Sequence, residues 1–351
     1  MKNIAALALL SIALVSCNKE TKTVAKVDPA TGKTVTVEVP AEETKPAAAA
    51  PVSPAVKDSA GVFTQSFKLE KGKTYPLTTY TRNVQTMTDP SGKSMSGTSE
   101  STDEMSFVVD DFQNGVYDIT INLIGKRNSQ TANGKTIVVD TKQAAPKDQN
   151  LKMMWSVNKA LVGNKLKMKL KENGDVVSVT GFEPIYTKVS TAVSPAIKDQ
   201  KQRTEFLNSF KSSFNDKMIR EQFTKNLMVL PKKGAKIGAK WTESENASPD
   251  GKIKLTSHYT LKNVDDKNAV VTVSGGIPYK SDKRSQEGMT HSISSEMSQQ
   301  GTVTIDRSSG WISNQNLTVK TTQTESISDG KQTQTVKSVQ TSTVMVNPAA
   351  K

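Results

Sequence analysis

Beyond Phe63 the chain is patterned with a period of two. Tyr117, Ile119, Ile121 and Leu123 share one face of a run whose other face carries Asp118, Thr120 and Asn122, the signature of a half-buried strand. Leu166, Met168 and Leu170 alternate with Lys165, Lys167, Lys169 and Lys171, and Asn173-Gly174 then leads into Val177 and Val179, which predicts a hairpin with a type I′ turn. Similar runs follow at Ile253, Leu255, Tyr259 and Leu261, at Val271 and Val273, at Val303 and Ile305, and at Leu317 and Val319, interrupted by Asp250-Gly251, Ser309-Gly310 and Asp329-Gly330. One stretch departs from this rhythm. Between Pro195 and Leu230 the residues Ile197, Phe206, Leu207, Phe210, Phe214, Met218, Ile219, Phe223 and Leu227 recur at spacings of three and four, and Pro231 stops the run; the pattern predicts one long amphipathic helix. A shorter helix is predicted over Leu151 to Val162 by Met154, Trp155 and Leu161.

The same reading gives a mainly β chain: antiparallel sheets from two β-rich halves, 63–190 and 232–347, separated by a helical insertion at 191–231. The halves resemble one another in order. Gly72 and Tyr75 open one and Gly238 and Trp241 the other; each has an acidic, Asn-containing turn (Asp110, Asp111, Asn114; Asp265, Asp266, Asn268) and closes with a strand, a glycine turn and a strand. A diverged duplication follows. From Thr318 to Val346 the strands are polar on nearly both faces, being rich in Thr, Ser, Gln and Lys; they are expected to edge the sheet, where Lys discourages uncontrolled pairing, rather than to form a surface for presentation.

The N-terminus has a different logic. Lys2 precedes an apolar run from Ile4 to Val15 broken only by Ser11, which is too short to span a bilayer and fits a cleaved export signal over residues 1–16. Leu14-Val15-Ser16-Cys17 resembles the lipobox of bacterial lipoproteins, in which the cysteine is acylated and becomes the first residue. That resemblance implies a membrane anchor at Cys17, the only cysteine of the chain. Residues 17–62 read as a disordered Pro-, Ala- and Lys-rich tether, since no aromatic precedes Phe63 and little can be buried. The alternation of Val35, Val37 and Val39 within Thr34 to Val39 is the one strand-like exception. Asp58-Ser59-Ala60 resembles a short acceptor motif for bacterial O-glycosylation, which marks Ser59 as a candidate.

Leu69, Gly72 and Tyr75, then Leu161-Val162-Gly163 through Asn173-Gly174 and Val177 to Gly181, then Leu230-Pro231, Gly238 and Trp241, and finally Gly310-Trp311 are similar to the recurrent positions of an uncharacterised lipoprotein domain family of Gram-negative bacteria. The resemblance covers Phe67 to about Val346. It implies a two-part β-rich domain and outer-membrane anchoring, on the periplasmic or the exposed face, and it brings no catalytic residue with it.

Composition narrows the chemistry. Among 351 residues, 35% are hydrophobic and 5% aromatic, with one cysteine and two histidines, so disulfide frameworks and cysteine-rich zinc sites are excluded. His258 falls on the face opposite Leu255, Tyr259 and Leu261, and His291 follows Gly288 in a serine-rich segment without a nucleophile elbow. Adjacent carboxylates at Asp103-Glu104, Asp110-Asp111 and Asp265-Asp266 point to opposite faces of a strand, and the two Asp-Asp pairs are expected to cap turns. No EF-hand, phosphate-loop or dinucleotide motif occurs and no cofactor is expected; an oxygen-ligated calcium site at Asp110, Asp111 and Asn114 is the weaker alternative to the turn reading.

Charge adds a weaker signal. Forty-seven Lys and Arg against 34 Asp and Glu give +13. The lysines are scattered and aromatics are few, which argues against nucleic acid. Two denser groups, Lys165, Lys167, Lys169 and Lys171 on one hairpin face and Lys232 and Lys233 (with Lys236 and Lys240) after the helix, form a candidate surface for anionic headgroups or glycans. The expected protein is therefore a lipid-anchored envelope component without enzymatic activity, acting as a binding or interaction module for a lipid, glycan or envelope protein. The alternative is a carrier or chaperone for a hydrophobic ligand, a lipid or a lipoprotein, in a half-barrel covered by the helix. A cavity of roughly 300 Å³ or more separates them.

Overall fold

The computed structural model describes residues 21–27, 34–40, 54–248, 251–286 and 288–348, which belong to two units divided at Val52 and Ser53. In the first unit, β1 (Thr21–Val27) and β2 (Thr34–Pro40) pair antiparallel, with Val24 opposite Val37. The Val35, Val37, Val39 alternation is thus expressed as strand. The export signal and Cys17 lie outside the described residues.

The second unit opens with a short hairpin, β3 (Val56–Ser59) and β4 (Val62–Gln65). It continues through β5 (Thr74–Thr88), β6 (Ser94–Gln113), β7 (Val116–Ala132) and β8 (Lys135–Asp140), then α1 (Gln149–Leu161), β9 (Lys165–Lys171) and β10 (Val176–Thr180). Three helices follow, α2 (Glu183–Val193), α3 (Gln200–Ser213) and α4 (Asp216–Leu227). The chain ends in β11 (Lys240–Asn246), β12 (Lys254–Val264), β13 (Asn268–Gln286), β14 (Met289–Asp306), β15 (Ile312–Ser328) and β16 (Thr333–Val346). The chain is mainly β, as the alternation predicts.

One antiparallel sheet of twelve strands runs β10-β9-β7-β6-β5-β16-β15-β14-β13-β12-β11, with β8 added beside the far end of β7. Each half is a meander, and both progress in the same sense across the sheet, so the last strand of the second half joins the first strand of the first. Laid flat, eleven strands about 4.8 Å apart would separate β10 from β11 by roughly 50 Å. Instead Asp175, in the β9–β10 turn, and Glu243, on β11, line one cavity, so the sheet curls until its free edges approach.

The curl encloses the core at one end of the strands. Tyr75, Phe107, Ile119, Leu166, Val303 and Trp311 contribute from the sheet, and Ile185, Val189, Phe223 and Leu227 from α2 and α4. Trp311 sits 5.0 Å from the Phe107 ring and 5.5 Å from that of Tyr75, and its indole N–H donates to the Pro76 carbonyl at 3.1 Å. Gly310 has φ +75°, and a Cβ there would lie 1.9 Å from the Ser66 carbonyl oxygen; the Gly-Trp pair is thus a turn and a plug.

Residues 54–69 form a strap across this packed end. Phe67 N–H donates to Glu172 of the first half, Lys68 N–H to Ser309 of the second, and Phe63 pairs with Ala235. Gln65 is buried. Its amide donates to the Leu227 and Gly310 carbonyls at 3.0 and 2.9 Å, and its oxygen accepts from Val229 N–H and Leu230 N–H. Ala55 and Val56 are fully buried, although their neighbourhood reads as tether. Their backbone N–H groups are satisfied by Ser308 and Arg307, a tertiary contact that local composition does not announce.

Four expectations are corrected. The single helix over Pro195 to Leu230 is two, α3 and α4. Asn215, extended at φ −150°, accepts from Met218 N–H and starts a new helix, while Asp199 caps α3 by accepting from Gln202 N–H. Residues 183–190, read as part of the first β half, are helical and continue to Val193, because Ile185, Tyr186, Val189 and Val193 form a buried stripe behind Pro184 in the first turn. At the β9–β10 turn only Gly174 has positive φ, so the loop is a type I turn with a glycine bulge rather than type I′. The polar C-terminal strand β16 is no edge. It pairs with β15 on one side and β5 on the other, and of its side chains only Val346 packs against the core.

Candidate functional site

Between the helices and the concave sheet face lies a cavity of about 610 Å³. Its floor is made by Met105 and Leu123, which continue the inward rows of β6 and β7. Leu161 and Val162 at the end of α1 close one side, and Phe214, Met218 and Ile219 at the α3–α4 junction close the roof. The junction is there because Asn215 breaks the helix, and Tyr186 holds it, its hydroxyl donating to the Phe214 carbonyl at 2.8 Å. Two ion pairs stand at the rim, where Glu221 also contributes to the lining. Lys126 donates to Asp103, and Lys142 donates to both oxygens of Glu104 at 2.7 and 2.6 Å.

A β-bulge at Glu104/Met105 shifts the β6–β7 register at this point. Beyond it, the inward row on β7 passes from Ile119 and Ile121 to Lys126, Asn128 and Gln130, opposite Asp103, Ser101 and Ser99 of β6. A second cavity of about 520 Å³ continues up that face, lined by Asn83, Ser99, Asn128 and Gln130 and walled by Leu151 and Met154 of α1. A third, about 350 Å³, shares Asn83, Ser99 and Gln130 with it and reaches Met87, Met95 and Gln340.

The residues singled out from sequence are placed as follows. Lys165, Lys167, Lys169 and Lys171 all project from the exposed face of β9, but Lys167 donates to Asp110 at 3.0 Å and to Thr120 at 2.7 Å, and Lys169 to Asp118 at 2.6 Å. Lys232 lies 3.8 Å from Asp175, in the turn next to Lys171, so the two basic groups meet at one end of this hairpin; Lys233 is exposed there. Ser59 is exposed at the tip of the β3–β4 hairpin, where Asp58 accepts from Gly61 N–H at 2.8 Å. His258 is exposed and exchanges a hydrogen bond with Thr242, and His291 is exposed on β14.

The acidic pairs divide. Asp265 accepts from Lys267 and Asn268 N–H groups as a turn residue, and these bonds hold its carboxyl below the usual range. Asp110 and Asp111 do not cap a turn. They lie in β6, and the turn itself is made by Asn114 and Gly115. Burial opposes ionisation of Asp110, but the Thr120 hydroxyl and Lys167 outweigh it and lower its pKa. Asp111 is lowered chiefly by Lys71. Among the described residues no group of three or more His, Cys, Asp or Glu side chains is arranged to hold a metal ion, and no helix is long and apolar enough to cross a membrane.

From sequence, a cavity under the helix stands only as the alternative and without any lining residue, because the lining comes from segments far apart in the chain. Phe214, Met218 and Ile219 were legible as apolar helix positions, yet nothing local says that they stop short of the sheet.

Comparison with known proteins adds a family and little else. The model of a family described as "Family of unknown function (DUF6263)" matches residues 114–312. No curated protein matches. Among solved structures, a lipovitellin studied for its lipid–protein interactions is 10% identical with a TM-score of 0.31; it covers 81% of this chain, which spans only 26% of that one. OpdQ of Pseudomonas aeruginosa is 7% identical, TM-score 0.17, covering 79% of this chain and all of its own. An outer membrane channel of Pseudomonas putida F1 is 9% identical, TM-score 0.14, with coverages of 80% and 97%. Scores this low carry no argument about ligand or activity.

Proposed function

Because the chain belongs to that family of unknown function, its role has to be read from its own geometry, and we propose that it is a non-enzymatic binding protein of the bacterial cell envelope that holds the apolar part of a ligand between its helices and its sheet. The observation that carries this reading is the 610 Å³ cavity lined by Met105, Leu123, Leu161, Phe214, Met218 and Ile219. Its volume lies well inside the range of small-molecule sites and is twice the threshold that separates a carrier from a plain interaction surface. The cleft is open at its rim, where Glu221, Gln222 and Asn226 join the lining, and the apolar surface inside it is surface that the apolar part of a ligand would bury.

Anchoring by lipid on Cys17 would place the cavity near a source of apolar ligands, and outer-membrane attachment belongs to the same proposal. The absence of catalysis is also proposed. It is supported by the state of the charged groups, since Asp103 and Glu104 at the rim are paired with Lys126 and Lys142 and both histidines stand in solvent away from the cavity.

The test is titration with cis-parinaric acid, whose fluorescence rises in apolar surroundings. Saturable binding is expected, and Leu123→Trp and Ile219→Trp, each filling the cavity from a different wall, should raise Kd at least tenfold while circular dichroism stays unchanged. Absence of saturable binding, or equal affinity in two folded variants, would overturn the reading.

A further inference from the structure

The lining of the apolar cavity reaches as far as the Asp103–Lys126 pair. Beyond it the concave face of four neighbouring strands is built from uncharged hydrogen-bonding side chains. β5 contributes Thr79, Thr81, Asn83 and Gln85; β6 contributes Ser101 and Ser99; β7 contributes Asn128 and Gln130; β16 contributes Ser342 and Gln340. The ladder register places these together: Asn83 stands opposite Ser99 and Ser342, Ser99 opposite Gln130, and Gln85 opposite Gln340.

The convex face of the same strands is different. It carries Arg82, Glu100, Arg127 and Lys337, with Glu100 within 3.8 Å of both arginines. In a chain that is 23% charged, a purely solvated face would carry such residues too. The sorting of charge to one side of a sheet that has water on both sides at this end needs a reason.

We infer that the inner face of β5, β6, β7 and β16, running from the apolar cavity past Asn83 and Gln130, receives the uncharged, hydroxyl-rich head of an amphipathic lipid whose acyl part lies under α3 and α4. Three observations converge on this class. Hydroxyls and side-chain amides each offer donors and acceptors, matching sugar or polyol hydroxyls, which are both. A phosphate head would select Lys or Arg, and a cationic head would select free carboxylates; this stretch has neither.

The network is also only half used. The Asn83 amide reaches Ser99 at 3.4 Å, that of Gln85 reaches Ser338 at 3.2 Å, and that of Gln340 reaches Ser342 at 3.1 Å. The Gln130 side chain makes no hydrogen bond among the described residues. Finally, the space is present. Two further cavities of about 520 and 350 Å³, which share Asn83, Ser99 and Gln130, begin one inward ladder step beyond the apolar one, at Ser101 and Asn128, with Leu151, Met154, Met87 and Met95 supplying apolar walls for the C–H faces of a ring. From Thr79 to Met87 the strand rises about 25 Å, room for several linked rings.

This inference rests on the cavity reading above and deepens it. Titration calorimetry of the full chain below the critical micelle concentration compares three probes, dodecyl maltoside, dodecylphosphocholine and dodecanoate. Dodecyl maltoside is expected to bind at least tenfold more tightly than dodecylphosphocholine. The double variant Asn83→Ala, Gln130→Ala should erase that preference while leaving dodecanoate affinity within twofold, which also shows that the variant is folded. Equal affinity of the two twelve-carbon detergents, or a preference that survives the double variant, overturns the head-group assignment and leaves the apolar cavity standing. If none of the three probes binds, the cavity reading falls and this one with it.

Discussion

The two ends of the same strands make an instructive contrast. β5, β6, β14 and β15 each begin or end among Tyr75, Phe107, Ile305 and Trp311, every one of them buried. A few residues on, the same backbones continue through Thr81, Ser99, Ser298 and Thr322 with water within reach of both faces. The ladder carries through, for β14 and β15 stay paired in one register from Thr304 to Thr290, with a shift only at Ile305. Hydrogen-bonded pairing is therefore not what distinguishes the ends. At the packed end, helices and strap supply apolar area to bury; at the distal end the sheet is held by backbone ladders and the stiffness of its neighbours.

If the contrast is right, the largest effect belongs to the aromatic plug. Trp311→Ala removes contacts with Phe67, Tyr75 and Phe107 together with the bond to Pro76. It should destabilise the second unit by about 3–5 kcal/mol, read as a shift in the urea midpoint. A loss below about 1 kcal/mol would mean that the aromatic cluster is not the centre of the core.

Gln65 tests the strap. Replacement by Ala strands the Val229 and Leu230 N–H groups and the Leu227 and Gly310 carbonyls in a buried place. An unsatisfied buried group costs about 1–3 kcal/mol, so Gln65→Ala should lower stability by about 2–3 kcal/mol and speed proteolysis after α4. Gln65→Glu is the sharper variant, because a carboxylate accepts from Val229 and Leu230 but cannot donate to either carbonyl; it should not restore the wild-type midpoint.

How much of this was legible beforehand follows the range of the cause. The strand rows at Tyr117–Leu123 and Leu166–Leu170 are local alternations, and both appear as written. α1 appears within two residues of its expected start. The break at Asn215 is hidden because a cap competes with the apolar period around it, and the spacing of Phe214 and Met218 continues through the break as if the helix did. Gln65, the burial of Val56 and the central place of β16 were invisible for another reason: each depends on partners more than 150 residues away or on which strand arrives alongside. The basic face of β9 was legible as a face, but its neutralisation by Asp110 and Asp118 was not, since that needs the β6–β7–β9 order.

Acid should discriminate between the ends more gently. At the packed end, burial opposes ionisation of Asp306, yet hydrogen bonds from Ser308 and Ser309 outweigh it and depress its pKa. Asp89 and Asp329, at distal turns, are depressed mainly by bonds from Ser91 and from the Gln332 and Lys331 N–H groups. In all three the folded carboxyl is more acidic than the unfolded one, so the unfolded chain takes up protons first as pH falls. The stabilisation is present above the unfolded value of about 3.9 and is lost as pH drops through the depressed folded values. Stability should thus be flat from these groups between pH 5 and 8 and decline below about pH 4. Asp306→Asn should flatten that decline more than Asp329→Asn, because Asp329 sits in solvent. Equal slopes would erase the distinction.

The smallest effect is expected at the distal end, and it is the most discriminating. Thr341, in the middle of β16, lies between Lys320 and Val84 in the sheet, a central position by topology. Were sheet position the source of stability, Thr341→Ala would matter. Because no helix covers this part of the strand, the substitution should change stability by no more than about 0.5 kcal/mol. Native-state hydrogen exchange gives the complementary reading. Amides of Thr335 to Thr341 should open at free energies well below the global value, whereas those of Thr302 to Ile305, at the packed end of β14 two strands away, should exchange only with global unfolding. Uniform protection along β14 and β16 would show one cooperative slab. Graded protection would show a core with a compliant polar extension, whose inner side chains are left free to be shaped by binding because folding asks little of them.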